Sequence, residues 1–111
     1  MSFVRACALA DVAEDRATAV TIEDLEIAVA RDGDEIFAVQ DLCSHAAVAL
    51  SEGEVTDCSV ECWLHGSRFD LRTGKPIGPP ATEPVSTFAV ELRDGDVYVD
   101  TTEPLNGVLP S

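Results

Sequence analysis

The sequence predicts an all-β, antiparallel fold on two observations. Apolar and β-branched residues recur at a period of two in short runs, as in Leu25, Ile27 and Val29, which is the spacing of a strand with one face buried. The tetrapeptide Arg-Asp-Gly-Asp also occurs twice, at 31–34 and 93–96, each time between two such runs. Asp-Gly supplies the positive backbone angles that tight hairpins require. One tetrapeptide is too short to define an internal repeat.

Taken in order, Phe3 to Cys7 reads as an opening strand and residues 8–12 as a turn or single helical loop. Ala17 to Ile22 and Leu25 to Arg31 are the next two strands, and the first Arg-Asp-Gly-Asp turns the chain into Ile36 to Gln40. A short pair of strands is expected near Glu54 to Val55 and Ser59 to Glu61. Ile77-Gly78-Pro79-Pro80-Ala81 is a stiff segment poor in N–H donors. Val85 to Leu92 and Val97 to Val99 form the last hairpin around the second Arg-Asp-Gly-Asp. The resulting domain is expected over 1–101, with 102–111, which carries two prolines and little periodicity, as a flexible tail.

A chain of 111 residues builds one domain with a modest core. Its 21 acidic and seven basic residues leave a formal charge of -14, which argues against nucleic acid or an anionic membrane as partner. A protein this acidic is expected to dock on basic patches, although the same charge also serves solubility. No apolar run approaches the roughly 20 residues that span a bilayer. Met1-Ser2-Phe3-Val4-Arg5 lacks the basic lead of a signal peptide, so a soluble, cytoplasmic protein is expected.

Two short pairs carry the chemistry: Cys43-Ser44-His45 and, sixteen residues later, Cys62-Trp63-Leu64-His65. Two thiolates and two imidazoles suit zinc or an iron-sulfur cluster and do not suit calcium or magnesium. Structural zinc sites usually separate paired ligands by two or more residues, whereas Cys43 and His45 are separated by one. In an extended loop residues i and i+2 point the same way, so their donor atoms can reach two different irons. Placing Cys43 and Cys62 on one iron and His45 and His65 on the other gives a Rieske 2Fe-2S arrangement. Zinc accepts the same four ligand types and stands as the competing metal.

The chain resembles the soluble Rieske ferredoxins that serve multicomponent ring-hydroxylating dioxygenases. The likeness runs from about Phe3 to Val99 and rests on Asp41-Leu42-Cys43-Ser44-His45, Glu52-Gly53, Cys62-Trp63-Leu64-His65-Gly66-Ser67-Arg68-Phe69-Asp70 and Arg72-Thr73-Gly74-Lys75-Pro76. The resemblance implies a Rieske domain, an antiparallel β-sandwich with a small cluster-binding subdomain whose loops span about 41–51 and 60–70. It implies one 2Fe-2S cluster and a one-electron carrier, not itself an enzyme. The donor would be a flavin-dependent ferredoxin reductase and the acceptor a terminal non-haem iron oxygenase, both met transiently by a monomer. An accessory ferredoxin for iron-sulfur cluster assembly, or a zinc-stapled binding module, are the alternative functions.

Neutral imidazoles leave the oxidised cluster uncharged, so it takes up an electron more readily than an all-cysteine cluster, within about -150 to +300 mV. In the resemblance, Ser67 gives its hydroxyl to a bridging sulfide and the loop bearing Pro79 covers a third side of the cluster. High-potential relatives add a tyrosine where this chain has Phe69, and a disulfide where it has Val48 and Leu64. Their absence implies a potential at the low end of the range. His45 and His65 would form the electron exit and, with Trp63, the docking face. Cys7 and Cys58 are expected to be inert thiols.

Overall fold

The computed structural model describes residues 3–42, 48–63, 66–77 and 83–108. Its strands are β1 (Phe3–Ala8), β2 (Thr18–Ile22), β3 (Leu25–Asp32), β4 (Glu35–Gln40), β5 (Val55–Thr56), β6 (Ser59–Cys62), β7 (Ser67–Asp70), β8 (Pro76–Ile77), β9 (Thr87–Arg93) and β10 (Asp96–Asp100). Two antiparallel sheets result. The larger runs β1-β10-β9-β4-β3-β2, and the smaller, β5-β6-β7-β8, is inserted between β4 and β9.

The expected alternation of Leu25, Ile27 and Val29 holds in β3, but it describes only one face. Ile27, Ala28, Val29 and Ala30 are all fully buried. Ile27 and Val29 pack with Ala38, Phe88, Val97 and Val99 in a core inside the larger sheet. Ala28 and Ala30 face the other way, into a second core with Val39, Leu50, Val60, Phe69, Leu71 and Val85. Alanine's single methyl lets the smaller sheet approach the backbone of β3 closely. The edge strands β1 and β2 also meet, so the larger sheet curls around its own core and shields both edges.

Strands β7 and β8 lie in a stretch that the sequence reads as loop and connection. Ser67-Arg68-Phe69-Asp70 does alternate, with Ser67 and Phe69 inward. The run is short, and one of its buried residues is polar, so periodicity gave no signal.

The hairpin turns have different registers. In the β3–β4 hairpin Asp32 pairs with Glu35, and Gly33, with φ 61°, is the first loop residue. In the β9–β10 hairpin Arg93 pairs with Asp96, so Asp94 and Gly95 form the loop with φ 48° and 80°. The same four letters are therefore used one residue out of step. Glu23-Asp24 (φ 51° and 69°) and Asp57-Cys58 (φ 49° and 57°) make two more two-residue loops with positive φ at both positions and no glycine.

Residues 102–108, expected as the start of a flexible tail, are instead fastened to the domain. The Leu105 N–H donates to the Thr87 carbonyl at 2.7 Å. The Asn106 side chain donates to the carbonyls of Thr73 and Val85 at 2.9 and 2.8 Å, and its oxygen accepts from the N–H groups of Thr87 and Val108 at 3.3 and 3.2 Å. One asparagine so closes the gap between the β7–β8 turn and the start of β9.

A left-handed conformation costs a residue with a Cβ about 1 kcal/mol or more. Replacing Glu23-Asp24 by Asn-Gly, the pair best suited to this hairpin, is expected to stabilise the protein by about 1 kcal/mol. The reading is a higher urea midpoint with an unchanged denaturant slope.

Candidate metal centre

Cys62 ends β6 and Ser67 begins β7, and the two are cross-strand partners. The Gly66 N–H donates to the Cys62 carbonyl at 2.9 Å. Gly66 takes φ 75° there. The Cys62 side chain is fully buried and forms no disulfide among the described residues. Ser67 and Phe69 are fully buried on the same inner face.

The first ligand loop leaves β4 at Asp41, whose carboxylate closes the loop. The Ser51 N–H donates to one Asp41 oxygen and the Ser51 hydroxyl to the other, each at 2.7 Å. Burial pushes the Asp41 carboxyl above its usual range, and the two bonds from Ser51 oppose that shift. Leu50, fully buried, anchors the returning chain in the second core. At Gly53 a Cβ would stand 1.7 Å from the Glu61 carbonyl oxygen. Only glycine lets the loop cross β6 this closely. The Trp63 indole N–H then donates to Glu52 at 3.1 Å, joining the second ligand loop to the first. Trp63 itself stays 49% exposed.

Ahead of β9, the Val85 N–H donates to the Gly74 carbonyl at 2.8 Å. Gly74, at φ 76°, could not carry a side chain, since a Cβ would meet the Val85 oxygen at 2.2 Å. The smaller sheet is moored on its other side by a bond from the Val55 N–H to the Asp15 carbonyl at 2.9 Å and a bridge between Arg16 and Glu54.

Of the residues singled out in the sequence, Cys62, Trp63 and Ser67 are described, and they share the β6–β7 hairpin. Cys43, His45, Leu64, His65 and Pro79 lie outside the described residues. Cys7 is buried and Cys58 half-buried against the second core. Burial pushes both thiols up, away from the thiolate that reactivity requires. Sequence reasoning gave no role to Gln40, Asp41, Glu52, Gly53 or Asn106. The only signal was their position, with Asp41 two residues before Cys43 and Glu52-Gly53 where the loop returns.

The donor chemistry fits an iron-sulfur centre. Cys62 offers a buried, unbridged sulfur at a rigid hairpin end, opposite a buried hydroxyl residue. The Rieske [2Fe-2S] domain family matches residues 2–89, and the chain belongs to that family. Such a domain holds one 2Fe-2S cluster on two cysteines and two histidines, so the competing zinc reading is set aside.

Similarity to individual proteins extends over most of the chain. It is 40% identical over 104 residues to the 3-phenylpropionate/cinnamic acid dioxygenase ferredoxin subunit of Shigella flexneri serotype 5b, covering 93% of this chain and 97% of that one. Its fold matches the ferredoxin of carbazole 1,9a-dioxygenase from Nocardioides aromaticivorans IC177 with a TM-score of 0.84 and 35% identity, covering 89% and 97%. It likewise matches a chain of the complex of reduced oxygenase and oxidized ferredoxin in carbazole 1,9a-dioxygenase, with a TM-score of 0.80 and 36% identity, covering 87% and 91%.

Replacing Asp41 by alanine leaves the Ser51 N–H and hydroxyl without an acceptor and is expected to destabilise the protein by about 2 kcal/mol. Asp41→Asn keeps an oxygen for the Ser51 N–H and is expected to recover more than half of that. Chemical denaturation of the two variants checks both values.

Proposed function

We propose that this chain is the one-electron carrier of a ring-hydroxylating dioxygenase system, accepting electrons from a flavin-dependent ferredoxin reductase and passing them to a terminal non-haem iron oxygenase. The observation that carries this reading is near full-length similarity to ferredoxin subunits, the chain covering 97% of the Shigella relative. When bound, the cluster takes up and releases one electron within about -150 to +300 mV.

Cys43 and Cys62 are the thiolate ligands and His45 and His65 the imidazole ligands. Ser67 supplies a hydroxyl from the base of the β6–β7 hairpin, where it is fully buried opposite Cys62. Phe69, two residues on, is buried and has no hydroxyl, so it adds packing and no hydrogen bond. The loop bearing Pro79 covers the third side.

The docking face consists of His45, His65 and Trp63. Trp63 presents a half-exposed ring whose indole N–H is already held by Glu52. A pre-set aromatic loses little side-chain freedom on docking, and such residues dominate small interfaces. The partners present basic rims, since the chain carries -14. It acts as a monomer, because the same edge must meet reductase and oxygenase in turn.

Anaerobically purified protein is expected to hold two irons and no zinc per chain. It is expected to give a low-temperature EPR signal only after dithionite, with average g below that of an all-cysteine cluster. One zinc without iron overturns the electron-transfer reading.

Trp63→Ala is expected to raise KM for the oxygenase roughly tenfold, the loss of one moderate interface anchor. An unchanged KM in steady-state assays would remove Trp63 from the docking face.

A further inference from the structure

Gln40 is the last residue of β4 and is only 2% exposed. Its amide nitrogen donates to the Leu42 carbonyl at 2.8 Å. Its amide oxygen accepts from the Ser86 N–H at 3.0 Å, and its backbone N–H donates to the Ser86 carbonyl at 3.0 Å. Leu42 directly precedes Cys43, and Ser86 lies on the return from 78–82. One buried side chain therefore spans the first ligand loop and the exit of the third.

We infer that Gln40 is a positioning residue for the cluster, holding the peptide ahead of Cys43 against the strand that carries the third loop away. This rests on Cys43 being a cluster ligand, as proposed above. The Leu42 carbonyl and the Cys43 N–H belong to one planar peptide group, so a bond that fixes the carbonyl also fixes the direction of the N–H. It also polarises that peptide and makes the N–H a stronger donor. Donors around a cluster stabilise its reduced, more negative state.

The far end of the brace is rigid. Ser86 is fully buried, and its hydroxyl donates to the Val108 carbonyl. Its neighbours Val85 and Thr87 are both bonded to Asn106. Residues 102–108 thus anchor the strand on which Gln40 leans. The side chain is also chemically specific. A carboxamide donates at one end and accepts at the other, whereas methionine of similar length does neither and an ionised glutamate only accepts.

The test compares reduced holoprotein of the wild type, Gln40→Met and Val97→Ala. Val97 lies in the other core, so its truncation loosens the fold without touching Gln40. Gln40→Met is expected to lower the midpoint potential, alter the EPR g-values and shorten the cluster's half-life in air at least tenfold. Val97→Ala is expected to lower stability with wild-type g-values and potential. Wild-type g-values and potential in Gln40→Met overturn the inference, as does an equal shift in Val97→Ala.

Should Gln40→Met not fold, Gln40→Glu, compared with wild type at alkaline pH where its carboxylate is ionised, keeps the acceptor for Ser86 and loses the donor to Leu42. Altered EPR line shape there supports the inference and an unaltered one overturns it. Wild-type protein without iron would overturn the site assignment itself, an outcome distinct from either.

Discussion

Burial of β3 on both faces organises the whole domain. A strand in an antiparallel sheet commonly keeps one face in water, yet Ile27 to Ala30 are all inaccessible. The branched residues fill the curled sheet, and the two alanines form the floor on which the smaller sheet rests. Burying a branched aliphatic side chain contributes about 1.5–3 kcal/mol, so neither core alone is large. Sharing a strand makes them one cooperative unit. A larger residue at 28 or 30 would push the β6–β7 hairpin outward. Precision at the site therefore begins at two methyl groups well removed from it in sequence.

The loops above that floor are held by polar bonds and close backbone approaches. Asp41 closes the first loop on Ser51, Gly53 lets it cross β6, and Trp63 reaches back to Glu52. Buried polar groups are costly unless paired, and here the Asp41 and Gln40 side chains bond main-chain N–H and C=O groups directly, which fixes main-chain direction. That suits a redox site, where small displacement between oxidation states favours fast transfer. Among the described residues, the side-chain link between these two loops is the indole–carboxylate hydrogen bond from Trp63 to Glu52.

Much of this was legible in the sequence because it lies in residue identity. Cysteine and histidine are rare here, both histidines fall in the ligand pairs, and Asp-Gly marks turns wherever it stands. What could not be read lies in register and in long-range pairing. Arg-Asp-Gly-Asp gives a loop at Gly33-Asp34 in one hairpin and at Asp94-Gly95 in the other, because the buried faces of the flanking strands, and not the turn, decide which residues pair. Asn106 was hidden for a related reason. Its four bonds go to Thr73, Val85, Thr87 and Val108, and nothing local to a Pro-Leu-Asn-Gly stretch announces partners 19, 21 and 33 residues away.

Charge completes the picture of how such a domain meets partners. Arg5, Arg68, Arg72 and Arg93 each pair with a carboxylate, at 3.2, 3.3, 2.8 and 2.7 Å. Exposed pairs of this kind contribute little stability. Their effect on the outer field is larger, because they withdraw more than half of the seven cations from interaction with anything outside. The surplus carboxylates are left to act over a Debye length of about 8 Å at physiological salt. A basic surface approaching such a field is drawn in quickly, and screening beyond that range leaves the attraction dependent on salt. Such long-range attraction suits an electron carrier, whose encounters gain more from rapid arrival than from buried area.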